Sequence, residues 1–248
     1  MSVLDGKKLL IAQPAPQNGS PYHELESKYK LKIDFNPFFK VVPVLLNEFR
    51  EQRVSFNDYT AIVFSSRTAI DAFFHIAEQT RTVIPDTMKY FCQSEAIALY
   101  LQKYIIYRKR KIFFGTGTFA SLLSIITGKH KNEKLLIVCT DALKPETEKA
   151  FKDAKLNFGS VVLVKTENCD LSGLDLDKYG MIVFYSPSDV KSLMDNFPNF
   201  NKETILFATY GASTAKAAKN VNLAVEIEAP TPECPSIAGA LSHYFAKN

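Results

Sequence analysis

The sequence predicts an α/β protein with parallel sheets, built as two similar halves, and two observations lead there. Short apolar runs recur along the chain, each followed by a loop and then a helical-looking segment: LLIA (9–12), AIVF (61–64), KYFC (89–92), LLIVC (135–139), MIVF (181–184) and ILFA (205–208). The runs are continuous and not alternating, as strands covered on both faces by crossover helices require. The chain also resembles itself. AIVFSSRTAIDAF (61–73) lies without gaps over MIVFYSPSDVKSL (181–193) at an offset of 120, which aligns Ser66 with Ser186 and Ile70 with Val190. FCQSEAIA (91–98) lies over YGASTAKA (210–217) at an offset of 119, which aligns Ser94 with Ser213. Two matches in one order at nearly one offset point to duplicated strand–helix units.

Composition narrows the classes. Of 248 residues, 46% are apolar and 23% charged, with 10 Gly and 12 Pro, so collagenous, low-complexity and disordered readings fail. The net charge of +4 suits a small anionic ligand and does not imply a nucleic-acid partner. Cys92, Cys139, Cys169 and Cys234 form no CxxC pair and show no ligand-like spacing to histidine, so no metal site is expected and the thiols are read as reduced and buried. The opening MSVLDGKKLLIA is too short in apolar residues for a secretory leader, and no run approaches the roughly 20 apolar residues of a membrane span. A cytoplasmic protein without membrane contact is expected.

Taken in order, the first strand stops at Gln13 and Pro14, and a helix begins near Pro21 with Ser20 as cap and Tyr22, Leu25 and Tyr29 at helical spacing. FFKVVPVLL (38–46) and SVVLVKT (160–166) are the β-branched segments able to carry the chain between two sheets, paired as a short two-stranded connector. The first strand then belongs with the C-terminal half.

In both halves an apolar strand ends in hydroxyl residues where a helix starts: Ser65, Ser66 and Thr68 in one, Ser186 and Ser188 in the other. Hydroxyls cap helix starts, and the free N–H groups there favour anions. Tyr210-Gly211-Ala212-Ser213-Thr214-Ala215 has the same design, with Gly211 allowing a close backbone approach. Any one such loop is explained by capping alone, but parallel strands bring their carboxyl ends to one side, where ligands bind. Arg67 is placed to grip a carboxylate. The basic run 107–111 reads as a solvated surface. Gly115-Thr-Gly117-Thr-Phe-Ala120 fits a dinucleotide fingerprint, but its strand is short and lies deep within a half, so a nucleotide is not expected. No GxSxG occurs, His75 reads as a partly buried helical residue, and Cys92 as a packing thiol.

The paired loops VFSSRTAIDAFF and VFYSPSDVKSL, with FATYGASTAKAAKN and the closing EAPTPECPSIAGAL, resemble the uroporphyrinogen-III synthase family, and the likeness runs over nearly the whole chain. The resemblance implies two Rossmann/flavodoxin-like parallel-sheet domains joined by a two-stranded β-ladder. One is discontinuous, 1–37 with 167–248; the other is the inserted middle domain, 41–163; the linker strands are about 38–44 and 160–166. It further implies a cyclising lyase of tetrapyrrole biosynthesis. Hydroxymethylbilane loses water, its terminal pyrrole is inverted through a spiro intermediate, and the macrocycle closes with no cofactor. A monomer is expected, with no nucleic-acid partner and transient contact with the preceding pathway enzyme.

Carried over by position, the substrate-binding candidates are Gln13, Pro14, Ser65, Ser66, Arg67, Thr68, Ser94, Glu95, Ser186, Pro187, Ser188, Gly211, Ser213 and Thr214. The family's Gly-x-x-Thr-Ala turn falls on Gly211, Thr214 and Ala215, with Thr214 expected to cap its helix and meet a carboxylate. In the middle domain the same places hold Cys92 and Glu95, and Glu95 either turns away from the substrate or carries a proton. The family's Tyr-x-Thr, whose tyrosine is a proposed acid for departure of water, falls on Val164, Lys165 and Thr166. Valine cannot donate a proton, so Tyr185, Tyr210 or Lys165 substitutes, or no side-chain acid is required. The alternative reading is a non-catalytic two-domain binding protein for a small polyanion.

Overall fold

Each apolar run forms a parallel strand whose successive residues bury into two different cores. The computed structural model describes residues 4, 6–16 and 19–247. The chain divides into two units, Met1–Lys40 with Glu167–Asn248 (unit 1), and Val41–Thr166 (unit 2).

The chain begins with β1 (Lys8–Ile11), α1 (Pro21–Tyr29) and β2 (Ile33–Phe35). It continues through β3 (Phe39–Pro43), α2 (Leu46–Glu51), β4 (Ala61–Phe64), α3 (Arg67–Gln79), β5 (Lys89–Cys92), α4 (Glu95–Tyr100) and β6 (Ile112–Phe114). Then come α5 (Phe119–Lys129), β7 (Lys134–Thr140), α6 (Pro145–Asp153) and β8 (Asn157–Asn168). It returns through β9 (Tyr179–Phe184), α7 (Pro187–Asn196), β10 (Leu206–Tyr210), α8 (Ala212–Asn220), β11 (Val225–Ala229) and α9 (Ile237–Lys247).

In unit 1 the strands lie in the order β11-β10-β9-β1-β2, every pair parallel. Leu9, Ile11, Met181, Val183 and Ala208 bury against Tyr22 and Leu25 of α1 and Leu241 and Phe245 of α9. Leu10, Ile182, Phe184 and Phe207 bury on the other face against Val190 and Leu193 of α7 and Ala218 of α8. This two-sided cover is why the strands read as unbroken apolar runs.

Unit 2 has the order β3-β8-β7-β4-β5-β6, with β8 through β6 parallel. Ile62 and Phe64 face the core that holds Ile70 and Phe73 of α3, while Ala61 and Val63 face the core with Leu122 of α5 and Phe151 of α6. Ile62 and Phe64 thus meet the helix after their strand just as Ile182 and Phe184 do, which is what the internal sequence match requires.

The two expected connector strands do pair, and they also extend the unit 2 sheet. β8 pairs with β7 from Asn157 to Val164, and β3 lies on its other side, so the two strands are the edge of the unit 2 sheet. The Val44 amide donates to the Leu163 carbonyl at 3.0 Å and the Cys169 amide to the Phe38 carbonyl at 2.9 Å, a descending register that makes this pair antiparallel. The reason is burial. Val161, Leu163 and Val164 belong to the unit 2 core, and a two-stranded ribbon on its own is marginal. Gln52, just after α2, donates to the Val162 carbonyl at 2.7 Å and accepts from its amide at 2.8 Å.

His75, expected partly buried, is exposed and shares a hydrogen bond with Gln79 one turn on at 3.0 Å. All four cysteines are free, and burial pushes the Cys92 thiol up to about 12 and that of Cys139 up to about 11. Among the described residues no helix is long and apolar enough to cross a membrane.

Phe73 sits at the centre of an aromatic cluster, with Phe56, Phe64 and Phe74 ring centroids at 4.4, 5.5 and 5.2 Å. Phe73→Ala is therefore expected to lower stability by about 3–5 kcal/mol, read as a lower urea midpoint in equilibrium unfolding.

Candidate functional site

Because the unit 1 strands are parallel, their carboxyl ends share one edge, and the residues just beyond them are neighbours. β9 and β10 pair with Phe184 opposite Thr209, so the next residues, Tyr185 and Tyr210, stand side by side with ring centroids 5.8 Å apart at 38°. α1 brings a third tyrosine. The Tyr22 hydroxyl is hydrogen-bonded to the Tyr185 hydroxyl. Burial, the Tyr22 hydrogen bond and the neighbouring Tyr22, Tyr210 and Asp189 push the Tyr185 hydroxyl well above the ordinary tyrosine value. Burial also raises Tyr22, with the Tyr185 hydrogen bond acting in the opposite sense. In such a pair one hydroxyl donates to the other, and the acceptor keeps its own proton for a further partner. The sequence points to Tyr185 and Tyr210 but shows Tyr22 only as a helix-face residue, since nothing local signals a contact that spans 163 positions.

The turn after Tyr185 is held from below. Ser186 caps α7, its Oγ accepting from the Asp189 amide at 3.3 Å, with Pro187 at the first helical position. Asp189 Oδ2 accepts in return from the Tyr185 amide at 2.9 Å, the Ser186 amide at 2.8 Å and the Ser186 hydroxyl at 3.2 Å. Asp189 is 1% exposed, and its Oδ1 has no hydrogen-bond partner among the described residues. Burial raises its carboxyl above the usual range, opposed by the Tyr185 and Ser186 hydrogen bonds. Asp189, like Tyr22, is not among the residues the sequence singles out, although Ser-x-x-Asp at a helix start carries the spacing of a reciprocal cap.

Beside it, Gly211 takes φ +91°, a left-handed conformation that suits glycine, and its amide donates to the Ala229 carbonyl at 2.6 Å. Here the expectation for Thr214 is corrected. Gly211 occupies the cap position, and Thr214 is the third helical residue, 1% exposed, so it does not cap the helix. With no side-chain cap, α8 presents its first amides beside the exposed Ser213. Gln13 and Pro14 follow β1 at the same edge.

Unit 2 repeats the design on its own carboxyl edge. Ser66 caps α3, accepting from the Ala69 amide at 3.1 Å, with Ser65 exposed before it and Thr68 half-buried after it. Arg67 opens α3 with its guanidinium 5.5 Å from the Tyr100 ring centroid. Ser94 stands at the cap position of the six-residue α4 without a side-chain bond, and Glu95 is its exposed first residue, where a carboxylate is favoured by the helix dipole. Val164 is fully buried, and Lys165 reaches Glu48 Oε1 at 2.7 Å, an ion pair that helps hold Glu48 below the usual carboxylate range. Lys165 is thus engaged within unit 2. Gly115 is explained by close packing, since a Cβ there would lie 2.5 Å from Ser121 Oγ and 2.9 Å from the Leu122 nitrogen. In the basic run, Arg108 and Lys111 both reach Asp86 at 3.6 Å.

Asp189 makes stability pH-dependent with a definite sign. A carboxyl raised above its usual 3.8 binds its proton more tightly in the folded chain, so its contribution is fully present below that value and is lost as pH rises through the folded-state value. Wild-type protein is expected to lose stability relative to Asp189→Asn as pH rises from about 4 toward 7, measured by urea unfolding across the series.

Comparison with known proteins agrees with this architecture. Residues 21–239 match the family model described as uroporphyrinogen-III synthase HemD. The fold is similar to a mutant uroporphyrinogen III synthase from the extreme thermophile Thermus thermophilus, with TM-score 0.57 and 13% identity over 98% of this chain and 100% of that one. It is equally similar to uroporphyrinogen-III synthetase from Helicobacter pylori, with TM-score 0.57 and 12% identity over 98% and 100%. No curated protein matches in sequence. Since the family match spans both units and the strand edges that carry the tyrosines and serines, the chain belongs to the uroporphyrinogen-III synthase family of cyclising lyases.

Proposed function

We propose that the chain carries out the family's reaction, closing hydroxymethylbilane to uroporphyrinogen III, with the Tyr22–Tyr185 pair as donor to the departing hydroxyl. The hydroxymethyl carbon–oxygen bond breaks and the oxygen leaves as water with a donated proton. The substituted α-carbon of the terminal pyrrole bonds to the methylene carbon that water has left, giving the spiro intermediate. Its older bond to the methylene of the neighbouring ring then breaks, and that methylene joins the pyrrole's free α-carbon, which releases its proton and balances the one donated. The bilane can close unaided to the uninverted isomer, so catalysis is chiefly the holding of one geometry over another. Both hydroxyls are protonated at neutral pH, so the pair has a proton to give; burial makes them weaker acids, and their contribution is position.

Carboxylate arms are taken by uncharged donors: the open start of α8 at Gly211 and Ser213, the Ser186-Pro187-Ser188 turn, and Gln13 and Pro14. Ser65, Ser66, Arg67 and Thr68 offer unit 2's equivalent, with Ser94 and Glu95 bordering it. Thr214 supports the α8 turn from within the core. In this reading the enzyme works without a cofactor, as a monomer in the cytoplasm, and takes its substrate in transient contact with the preceding pathway enzyme. The observation that carries it is the tyrosine hydroxyl pair beside an uncapped helix start, in a chain whose family-tyrosine position is a buried valine. No observation favours the non-catalytic alternative.

Purified protein given hydroxymethylbilane is expected to yield isomer III, resolved from isomer I by chromatography. Tyr185→Phe and Tyr22→Phe are each expected to lower kcat about 100-fold, the lower range for a positioned proton donor. Wild-type turnover in Tyr22→Phe, Tyr185→Phe, Tyr210→Phe and Lys165→Ala alike would mean that no side-chain acid is required.

A further inference from the structure

We propose that a cavity wholly within unit 2 is a subsite for one carboxylate-bearing pyrrole ring of the substrate, held by Lys144. The proposal rests on the reaction assigned above and adds to it a second charged contact in unit 2 beside that of Arg67. The cavity, about 310 Å³, opens at the carboxyl edge of the sheet, where Ser65 follows β4, Gln93 follows β5 and Thr140 ends β7. Its apolar wall includes Phe119, from the first turn of α5, and Leu143. Lys144, at the cap position of α6, stands at the rim.

Three features fit such a ring. Small-molecule pockets begin at about 300 Å³, so the cavity takes one substituted ring and not the four-ring chain. An apolar wall with a polar rim matches a flat heterocycle whose arms end in carboxylates. The Lys144 ammonium has no ion pair or side-chain hydrogen bond among the described residues, the exposed Glu146 two positions on included, and two further acids near it are engaged elsewhere. Asp141 accepts from the Thr166 amide at 2.7 Å and hydroxyl at 2.8 Å, and Glu148 binds Lys152 at 2.5 Å. The charge is therefore available to a ligand. Cys139, also in the wall, has its thiol pushed up to about 11 by burial and acts as an apolar surface.

The test measures binding and turnover separately. Porphobilinogen, a single pyrrole with an acetate and a propionate arm, serves as the one-ring probe in equilibrium calorimetry, and hydroxymethylbilane as the substrate. Lys144→Ala is expected to weaken porphobilinogen binding about ten-fold and to raise the KM for hydroxymethylbilane by a similar factor, with kcat within two-fold. Ala142→Trp, which fills the cavity, is expected to do the same. Lys149→Ala, an equal charge change on the exposed side of α6 outside the cavity lining, is expected to match wild type. Unchanged thermal unfolding in all three variants shows that the fold is intact. If Lys144→Ala binds the probe as wild type does, or Lys149→Ala weakens it equally, the subsite is overturned even where isomer III is formed. If porphobilinogen binding depends on Lys144 while no isomer III forms, the subsite stands and the assigned reaction is what fails.

Discussion

The structure depends on one constraint, that a parallel strand sheathed by helices on both faces has its carboxyl end free at a single edge of the sheet. In unit 1 the helices α1 and α9 cover one face and α7 and α8 the other, and the residues that end or follow β1, β9 and β10 lie at the edge left open. Those positions hold hydroxyls, tyrosines and a glycine. Unit 2 obeys the same rule from an equivalent strand–helix unit, and the pairing of Ile62 and Phe64 with α3 reproduces that of Ile182 and Phe184 with α7.

An edge built this way offers amide and hydroxyl donors of the kind that suit anions, and a net charge of +4 is compatible with a polycarboxylate substrate. The arrangement also separates rigidity from chemistry. Asp189 anchors the Tyr185–Ser186 turn through three hydrogen bonds to one oxygen, and its burial is tolerable because those donors offset part of the desolvation. Tyr185 stands directly above that anchor, with its hydroxyl on Tyr22. A side chain on a fixed turn holds its geometry better than one on a mobile loop, which matters for a reaction decided by orientation.

Within β8, Val164 is a core residue beside Leu163 and Val161. Lys165 is engaged with Glu48. In unit 1, a tyrosine from α1 joins one that follows β9 and one that ends β10. The tyrosines that adjoin a strand edge therefore lie in unit 1, while the end segment of β8 is given to packing and an ion pair.

Sheet class, strand positions, the Ser20, Ser66 and Ser186 caps and the internal repeat were all readable from residue order, because periodicity and capping are local and leave local marks. The serine turns and Gly211 were readable for the same reason. Contacts between distant segments were not. Tyr22 meets Tyr185 across 163 positions, and β3 and β8 join the unit 2 sheet as its edge, because two long-range packings, and no nearby residue, decide where those side chains end. Thr214 shows the opposite failure. Its motif was legible, yet the left-handed turn at Gly211 shifted the cap by three residues and rotated the threonine into the core.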